Sequence, residues 1–452
     1  MAENHGLNQA LARLDALTDW ERRPRNAMRV GLEPMQDLAA RLGDPQKSFR
    51  AIHVAGTKGK GSVSALIEAA LAHAGLRVGR YASPHVERIN ERVSVQGHDV
   101  DEPTLARALN HALDAYEAAR KAGTAAANAT WFDLLTAAAF LIFREADVEW
   151  AVIEVGLGGR LDSTNIVDGE IALVTNIALE HTEILGATRA AIAGEKVGIL
   201  KPGAVLVTTL SAGDEAGHVL QTRAEGLGAR VKRTRLDAST PIEQVNFALA
   251  AAVLGELRRK GVSARSGEPV GAALLDADTR LAARLPGRME RFDIEIGPRR
   301  LSVVMDGAHV PFNIGAVLRD LALTADLSGP CVAIVALAAD KDAEGFVAEL
   351  ARRASTIVFT DLPGSSRGRS PAELQALATS LGLKTEVEPD AKRALERGLE
   401  LAARANAWLL VTGSLYLIGA LRGAVGEAAP MPTAGAAAAF VQAPVRGHDG
   451  SP

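Results

Sequence analysis

The chain has 452 residues, and at about 100–200 residues per domain this length predicts about two to four domains rather than one small binding module. Hydrophobic residues make up 48% of the chain and charged residues 23%, which is an ordinary globular composition. The net charge of −4 and the aromatic content of 4% disfavour a nucleic-acid coat protein, because such a protein needs a basic surface and base-stacking side chains. We therefore expect no nucleic-acid partner.

The sequence predicts a cytoplasmic protein that has no membrane partner. Its single cysteine, Cys331, cannot form an intramolecular disulfide or a cysteine zinc cluster, which fits a reducing compartment. Residues 1–5 lack the basic and apolar regions of a secretory signal. The longest central apolar run, residues 134–143, is shorter than the roughly 20 residues that span a bilayer.

The first half of the chain predicts alternating strands and helices. The apolar run at 51–55 stops at Gly56, which is typical of a buried strand that leads into a glycine loop. Residues 63–74 have the composition and length of a helix that follows this loop. Further strands are predicted at 77–81, 150–155, 171–177 and 204–208, and further helices at 105–121 and 132–144. This alternation predicts a parallel α/β sheet.

A second α/β series begins near residue 285. Its predicted strands are 301–305, 332–337, 356–360 and 408–412, and its predicted helices are 344–353, 371–381 and 390–404. The end of the chain is rich in Ala, Pro and Gly and has no usable periodicity, which predicts a disordered tail. We therefore divide the chain into domains of residues 1–284 and 285–428 and a tail of residues 429–452.

A glycine-rich loop separates the first predicted strand from the helix that follows it. Its residues are Gly56, Thr57, Lys58, Gly59, Lys60, Gly61 and Ser62. Glycines let backbone N–H groups approach a phosphate, and the N-terminus of a helix adds positive potential. Lys60 can reach the β- and γ-phosphates and Ser62 supplies a hydroxyl, although the spacing departs from the pattern G-x-x-x-x-G-K-[ST]. The alternative is an ordinary turn with surface lysines.

Polar residues also follow other predicted strands, at the edges where open parallel sheets bind their ligands. Ser83 and His181 lie at such positions in the first half, and Asp306 and Ser414 in the second. Serine, histidine and carboxylate side chains can hold Mg²⁺ or support its ligands, and a carboxylate at a strand end can bind a ribose hydroxyl. The alternatives are a polar loop residue for His181 and helix caps for Asp306 and Ser414.

Several ordered stretches of the chain resemble one family. They are HVAGTKGKGS (53–62), YASPHVERIN (81–90), TWFDLLTAAAF (130–140), EVGLGGRLDSTN (154–165), EHTEILG (180–186), IAGEKVGILKP (192–202), PGRME (286–290), DGAHVP (306–311), ADKD (339–342) and VTGSLYLIGALR (411–422). Over about residues 8–425, the sequence resembles the folylpolyglutamate synthase/dihydrofolate synthase family of the Mur ligase superfamily.

The resemblance implies a P-loop parallel-sheet ATP-binding domain followed by a smaller Rossmann-like α/β domain. It also implies an amide ligase that uses ATP and Mg²⁺ to convert a carboxylate into an acyl phosphate. The amine of L-glutamate then attacks the acyl phosphate, which gives an amide, ADP and phosphate. The implied acceptor is dihydropteroate, a reduced folate or both, and we expect the enzyme to be a monomer.

The resemblance further implies roles for individual residues. Lys60 and the loop amides would hold the phosphates, whereas Ser83, Asp133 and His181 fall on metal-binding positions. Lys196 falls where the family carries a carbamylated lysine, although without the resemblance we would interpret it as a surface helix lysine. The implied catalytic residues are Lys60, His181 and Lys196. The remaining implied contacts are Asn246, Arg288, Asp306 and His309 for the nucleotide and Ser414 for the amino acid.

The chain also departs from the family pattern. Four positions differ from the usual residue, with Lys58 and Val310 in place of Asn, Glu180 in place of Asp, and Asp133 in place of Glu. Between residues 201 and 246, we expect only a strand, a helix and a short linker, where the family has a longer stretch. These departures leave two alternatives open: a ligase for a different carboxylate, and a nucleotide-binding homologue with a degenerate, non-catalytic site.

Overall fold

The computed structural model describes residues 3–19, 31–296, 299–365 and 367–428. These residues form an eight-stranded sheet and a six-stranded sheet, and helices cover both sheets. The predicted α/β class is therefore confirmed, whereas the predicted disordered tail at 429–452 lies outside the described residues. Within the described ranges, no helix is both long and apolar enough to cross a membrane.

The first half of the molecule contains the eight-stranded sheet. Its elements are α1 (Glu3–Asp15), α2 (Glu33–Arg41), β1 (Arg50–Ala55), α3 (Lys60–His73), β2 (Val78–Tyr81), β3 (Val93–Val95), β4 (His98–Asp99), α4 (Glu102–Ala122), α5 (Trp131–Glu145), β5 (Trp150–Glu154), β6 (Gly169–Val174), α6 (Thr182–Leu185), α7 (Arg189–Lys196), β7 (Val205–Thr208), α8 (Glu215–Gly226), β8 (Arg230–Arg233), α9 (Ile242–Arg259) and α10 (Ala277–Ala282). The strand order is β4-β3-β2-β5-β1-β6-β7-β8. The strands from β2 to β8 in this order pair in parallel, and β3 and β4 form an antiparallel edge.

The central strand β1 is buried on both faces of this sheet. Helices α3 and α9 pack against the face that carries Ile52 and Val54, and α4 and α5 pack against the face that carries Ala51. Strands that are covered on both faces read as continuous apolar runs rather than as an alternating pattern. This is why the apolar runs at 51–55 and 150–155 correctly indicated β1 and β5.

The second half contains the six-stranded sheet. Its elements are β9 (Glu290–Ile296), β10 (Arg299–Asp306), α11 (Pro311–Leu321), β11 (Cys331–Val335), α12 (Ala343–Leu350), β12 (Ala354–Phe359), α13 (Pro371–Ser380), β13 (Thr385–Val387), α14 (Ala391–Ala405), β14 (Trp408–Thr412) and α15 (Leu415–Ala428). The strand order is β13-β12-β11-β14-β10-β9. All neighbours pair in parallel except β9, which is antiparallel to β10.

The structure adds elements that the sequence did not predict. Helix α9 occupies 18 residues, and β8 extends the eight-stranded sheet beyond β7. For residues 201–246 we expected a strand, a helix and a short linker; β7 and α8 supply the strand and the helix, but the expectation was incomplete because β8 is a second strand. β8 has the sequence RVKR and its residues alternate between exposed and half-buried, so it lacks the apolar run that marks a central strand.

A large cleft lies between the two sheets. Its lining includes residues that follow β1, β5 and β6 in the first half and β10 and β14 in the second. Ligands of open parallel sheets bind beyond the carboxyl ends of the strands. Both sheets therefore present their ligand-binding edges to the same space.

Candidate active site

The glycine loop joins β1 to α3 and lines the cleft. Gly56 and Gly59 have φ angles of 141° and 84°, which glycine adopts at little cost. A Cβ atom at Gly56 would lie 1.9 Å from Thr175 Oγ1, and one at Gly59 would lie 2.8 Å from Asn246 Oδ1. The loop thus fits only without side chains at these positions. It brings the N-terminus of α3 to the cleft, where backbone N–H groups and the helix dipole favour an anion.

Hydrogen bonds from the end of β6 hold this loop in place. Thr175 Oγ1 and Asn176 Nδ2 donate to the carbonyl oxygen of Lys58 at 2.6 and 3.1 Å. The Lys58 N–H donates to Asn176 Oδ1 at 3.0 Å, and the Thr57 N–H donates to the Asn176 carbonyl oxygen at 2.9 Å. Because β6 pairs with β1, the sheet itself fixes the loop.

Lys60 extends from the start of α3 toward the buried carboxylate of Glu154. Its Nζ atom lies 3.8 Å from Glu154 Oε1, and the Ser83 N–H donates to Glu154 Oε2 at 3.4 Å. Burial raises the pKa of Glu154, and the positive charges of Lys60 and Arg288 oppose that rise. Glu154 was not among the predicted site residues. Its position could have indicated a role, because Glu154 ends a predicted strand and begins the glycine-rich stretch EVGLGG.

Asp133 lies in the first turn of α5, where it forms a capping box with the N-cap residue Thr130. Its Oδ2 atom accepts hydrogen bonds from the Thr130 N–H and Oγ1, both at 2.7 Å, and its Oδ1 atom accepts one from Ser163 Oγ at 2.6 Å. Burial raises the pKa of Asp133, and the hydrogen bonds from Ser163 and Thr130 oppose it. Asp133 also lines the cleft, but the carboxylate that contacts Ser83 is that of Glu154.

Lys196 is buried beneath the glycine loop. Its Nζ atom donates to the carbonyl oxygen of Gly56 at 3.0 Å, and the residue is 5% exposed. The interpretation of Lys196 as a surface helix lysine is therefore wrong. Burial, with the charge of Lys60 as the next cause, lowers the pKa of the Lys196 amine to about 7. A large fraction of the amine is thus neutral near pH 7, and the neutral form is the nucleophile.

His181 precedes α6 with a φ angle of 54°. This left-handed conformation is uncommon outside glycine, and such residues cluster at functional sites. His181 Nε2 lies 3.7 Å from Glu180 Oε1. Ligand atoms of His181, Glu183 and Asp340 also lie within 4.8 Å of one another, although Glu183 and Asp340 are exposed. His181 therefore presents its ring to a group of carboxylates at the cleft.

In the second half, backbone N–H groups hold the carboxylate of Asp306. Its Oδ1 and Oδ2 atoms accept hydrogen bonds at 2.8 Å from the N–H groups of Ala308 and Met289. Burial raises the pKa of Asp306, and Arg288 opposes the rise. Asp306 does not cap α11, since the N-cap residue of that helix is Val310.

Ser414 lies just before α15. Its Oγ atom accepts a hydrogen bond from the Tyr416 N–H at 3.1 Å, as the helix-cap interpretation predicted. All of the predicted site residues except Gly56 line the same cleft. Asn246 does so from α9, where its side chain faces Gly59, and Arg288 does so from the turn before β9.

Lys58, Glu180 and His309 connect the two halves across the cleft. Lys58 Nζ lies 3.1 Å from Glu180 Oε1 and 2.9 Å from His309 Nε2. Burial lowers the pKa of Lys58 to about 8, and Glu180 limits that change. Burial alone would raise the pKa of Glu180, but Lys58, His309 and His181 hold it well below its usual value. Two of the positions that depart from the family pattern therefore contact each other.

Comparisons with known proteins match each half of the chain to a domain of one superfamily. Residues 54–247 match the Mur ligase middle domain, and residues 287–415 match the Mur ligase glutamate ligase domain. Over 422 residues the chain is 31% identical to the dihydrofolate synthase/folylpolyglutamate synthase of Bacillus subtilis, which covers 87% of this chain and 95% of the relative. The chain belongs to the folylpolyglutamate synthase/dihydrofolate synthase family. Two of the solved structures in this family extend the likeness to the complete fold.

A folylpolyglutamate synthase from Mycobacterium tuberculosis complexed with ADP superimposes with a TM-score of 0.78 at 26% identity, over 95% of this chain and 100% of that chain. A bifunctional folylpolyglutamate synthase/dihydrofolate synthase from Yersinia pestis complexed with AMPPNP and Mn superimposes with a TM-score of 0.75 at 29% identity, over 93% and 98%. The predicted family, the ATP-dependent ligase class and the need for ATP and a divalent metal are thereby confirmed.

Proposed function

We propose that this synthase joins L-glutamate to dihydropteroate, to a reduced folate or to both, through an acyl phosphate. One observation carries the proposal: the cleft receives charged groups from both halves, with Lys60, Glu154 and Lys196 on one side and Asp306 and Arg288 on the other, and three of them, Glu154, Lys196 and Asp306, are buried. A nucleotide bound there would contact both halves. Closure around it would exclude water from the acyl phosphate, which water otherwise hydrolyses.

The glycine loop and two cations would hold the phosphates. Lys60 is the first residue of α3, so its ammonium group and the helix N–H groups would act on the same phosphates, and Arg288 would reach them from the second half. Phosphoryl transfer depends mostly on positioning and charge neutralisation, so these groups would act on the transition state. The acceptor carboxylate would attack the γ-phosphorus atom, and ADP would leave.

The metal-binding residues are proposed to be Ser83, Glu154 and His181. Glu154 takes the place that the sequence analysis gave to Asp133, because its carboxylate contacts Ser83 and faces Lys60. Carboxylate and hydroxyl oxygens suit Mg²⁺. When bound, Mg²⁺ would supply positive charge to the phosphate oxygens.

We also propose that Lys196 carries the predicted carbamate. The modification needs a neutral amine that attacks carbon dioxide and loses one proton, and burial provides such an amine in Lys196. The product is an anion beside the carbonyl oxygen of Gly56 and the cation of Lys60. Carbamylation would replace the buried, partly charged amine of Lys196 with an anion whose charge Lys60 and a metal ion would balance.

The other cleft residues are assigned to the nucleotide and the amino acid. Asn246 and His309 are proposed to contact the nucleotide, Asp306 the ribose, and Ser414 the incoming amino acid. We propose the domain division at residues 284 and 285, which falls between the two matched Mur ligase domains. We further propose a cytoplasmic monomer, in keeping with the single buried thiol of Cys331.

The test is acceptor-dependent ADP release with Mg·ATP and L-glutamate. Dihydropteroate, tetrahydrofolate and no acceptor are compared, and the products are identified by mass. We expect a product that is heavier by one glutamate residue with at least one of the two acceptors. If ATP binds but neither acceptor gains glutamate, the proposed substrate is wrong and the ligase acts on a different carboxylate.

A further inference from the structure

The contact between Lys58, Glu180 and His309 joins three loops from both halves of the molecule. Lys58 belongs to the glycine loop, Glu180 to the loop after β6, and His309 to the loop after β10. Lys58 Nζ lies within 3.1 Å of Glu180 Oε1 and 2.9 Å of His309 Nε2. The side chains of Lys58 and Glu180 are 16% and 9% exposed, so the pair is largely shielded from water and from salt.

The positions of the protons follow from these contacts. His309 Nδ1 lies 2.8 Å from the carbonyl oxygen of Gly307, which can only accept, so Nδ1 carries a proton. The Lys58 ammonium can only donate, so Nε2 of His309 accepts from it and the ring is neutral. Burial, followed by the charge of Lys58, also lowers the pKa of His309 to about 4. Glu180 Oε1 and His309 Nε2 lie 3.2 Å apart. Both are then acceptors, and both accept from the ammonium group of Lys58.

We propose that Lys58 and Glu180 act as one charge-balanced unit that positions His309 against the glycine loop. Lys58 is then a positioning residue and not a phosphate ligand, although it belongs to the predicted ATP-binding loop. The inference rests on the proposed function, because that function places His309 beside the nucleotide. It deepens the proposal by naming the contact that aligns the second half with the phosphate-binding loop.

The neighbouring lysine shows what a phosphate ligand looks like in this cleft. Lys60 Nζ lies 3.8 Å from Glu154 Oε1, which is beyond hydrogen-bonding distance, so its donors can turn to a phosphate. The ammonium of Lys58 already donates to two acceptors on opposite sides of the cleft. Lys341 Nζ, also from the second half, lies 4.0 Å from Glu180 Oε1. Glu180 therefore faces a cation from each half.

A charge-balanced unit predicts that two substitutions compensate each other. Lys58→Met alone leaves the carboxylate of Glu180 in a shielded place without its closest cation, which is costly. Lys58→Met with Glu180→Gln removes both charges. The amide nitrogen of Gln at position 180 can also donate to His309 Nε2, because Glu180 Oε1 already lies 3.2 Å from it. The double variant should therefore restore the contact that the single variant loses.

The experiment measures turnover and ADP affinity for the wild type, Lys58→Met, Glu180→Gln and the double variant. We expect Lys58→Met to lower kcat by about 30-fold and to change the Kd for Mg·ADP by less than about 3-fold. In the Glu180→Gln background, we expect the same substitution to change kcat by less than about 3-fold. The matched control is Arg397→Met with Glu386→Gln, a pair joined at 2.7 Å of which neither residue lines the cleft, and it should leave turnover unchanged.

Two results would overturn the inference. One is a Kd for Mg·ADP that weakens about tenfold or more with Lys58→Met, as loss of a phosphate contact predicts. The other is an equal loss of kcat in the wild-type and Glu180→Gln backgrounds. If Lys58→Met does not fold, a double variant whose kcat falls more than about 3-fold below that of Glu180→Gln contradicts the inference in their place. If the wild type forms no product, the proposed function fails, and the same four proteins are compared by thermal unfolding, where additive changes in Tm would contradict the unit.

Discussion

The two halves of the cleft hold their charged groups differently. In the first half, Lys60 lies beyond hydrogen-bonding distance of Glu154, and the pKa of Lys196 is lowered to about 7. In the second half, two backbone N–H groups hold Asp306 at 2.8 Å, and Gly307 and Lys58 hold the ring of His309. Lys60 can thus turn to a phosphate when nucleotide and metal bind, whereas Asp306 and His309 are fixed by their hydrogen bonds. We infer that the first half neutralises charge and the second half positions the nucleotide.

The largest effect is expected for Lys60→Ala. Loss of this cation should lower turnover by at least about 1,000-fold, because charge neutralisation supplies most of the catalysis of phosphoryl transfer. Lys47→Ala is the control, since the Lys47 side chain is 72% exposed and pairs with Asp44 on the surface. Steady-state ADP release measures turnover, and circular dichroism checks the fold. A folded Lys60→Ala enzyme with near-normal turnover would remove Lys60 from the phosphate site.

Glu154→Gln and Asp133→Asn separate the two carboxylates that compete for the metal role. Glu154→Gln should lower turnover by about 100-fold and weaken Mn²⁺ binding, because it removes the charge beside Ser83. Asp133→Asn should mainly cost about 1 kcal/mol of unfolding free energy, since Asp133 accepts hydrogen bonds from the N-cap residue Thr130 in the capping box of α5. Calorimetric Mn²⁺ titration and urea unfolding measure the two effects. The opposite pattern, in which only Asp133→Asn loses metal affinity, would restore the sequence-based assignment.

The lowered pKa of Lys196 predicts that the wild type and Lys196→Met differ in stability by an amount that depends on pH. Its pKa is about 7 in the folded protein and 10.5 in the reference state, so between these values the unfolded chain binds more protons. The contribution of Lys196 to stability therefore rises with pH across this window. Lys196→Met removes the effect, so the wild type should gain stability relative to the variant between pH 7 and pH 9. Urea unfolding in buffer free of carbon dioxide measures it, and a difference that stays constant with pH would mean that the folded pKa is not lowered.

The smallest effect is expected for Arg422→Met. Arg422 donates to Glu290 within the second half and to Glu87 in the first half, both at 2.8 Å. Its side chain is 29% exposed, so solvent screens the pair and its loss should change kcat/KM by about 3-fold or less. Arg404→Met is the control, because Arg404 pairs with Glu400 on the exposed side of α14. A loss as large as that of Lys58→Met would mean that Arg422, too, sets the alignment of the halves.

The sequence predicted those features that depend on residues close together in the chain. Buried parallel strands such as β1 and β11 are continuous apolar runs, and the glycine loop is a contiguous motif. The edge strand β8 was missed because its sequence, RVKR, is mostly charged and contains no apolar run. Glu154 was missed because its contacts with Ser83 and Lys60 join distant parts of the chain. The pairing of Lys58 with Glu180 was beyond the sequence for the same reason, since only the fold brings two separate departures from the family pattern together.

The central claim is that the cleft activates a carboxylate as an acyl phosphate. The most direct test supplies the acceptor with ¹⁸O in its carboxylate and determines the mass of the phosphate that is released. Attack of the carboxylate on the γ-phosphorus atom, followed by attack of the amine on carbon, transfers one labelled oxygen to phosphate. We predict one ¹⁸O atom per phosphate in the presence of L-glutamate. Unlabelled phosphate accompanying glutamylated product would contradict the acyl-phosphate route.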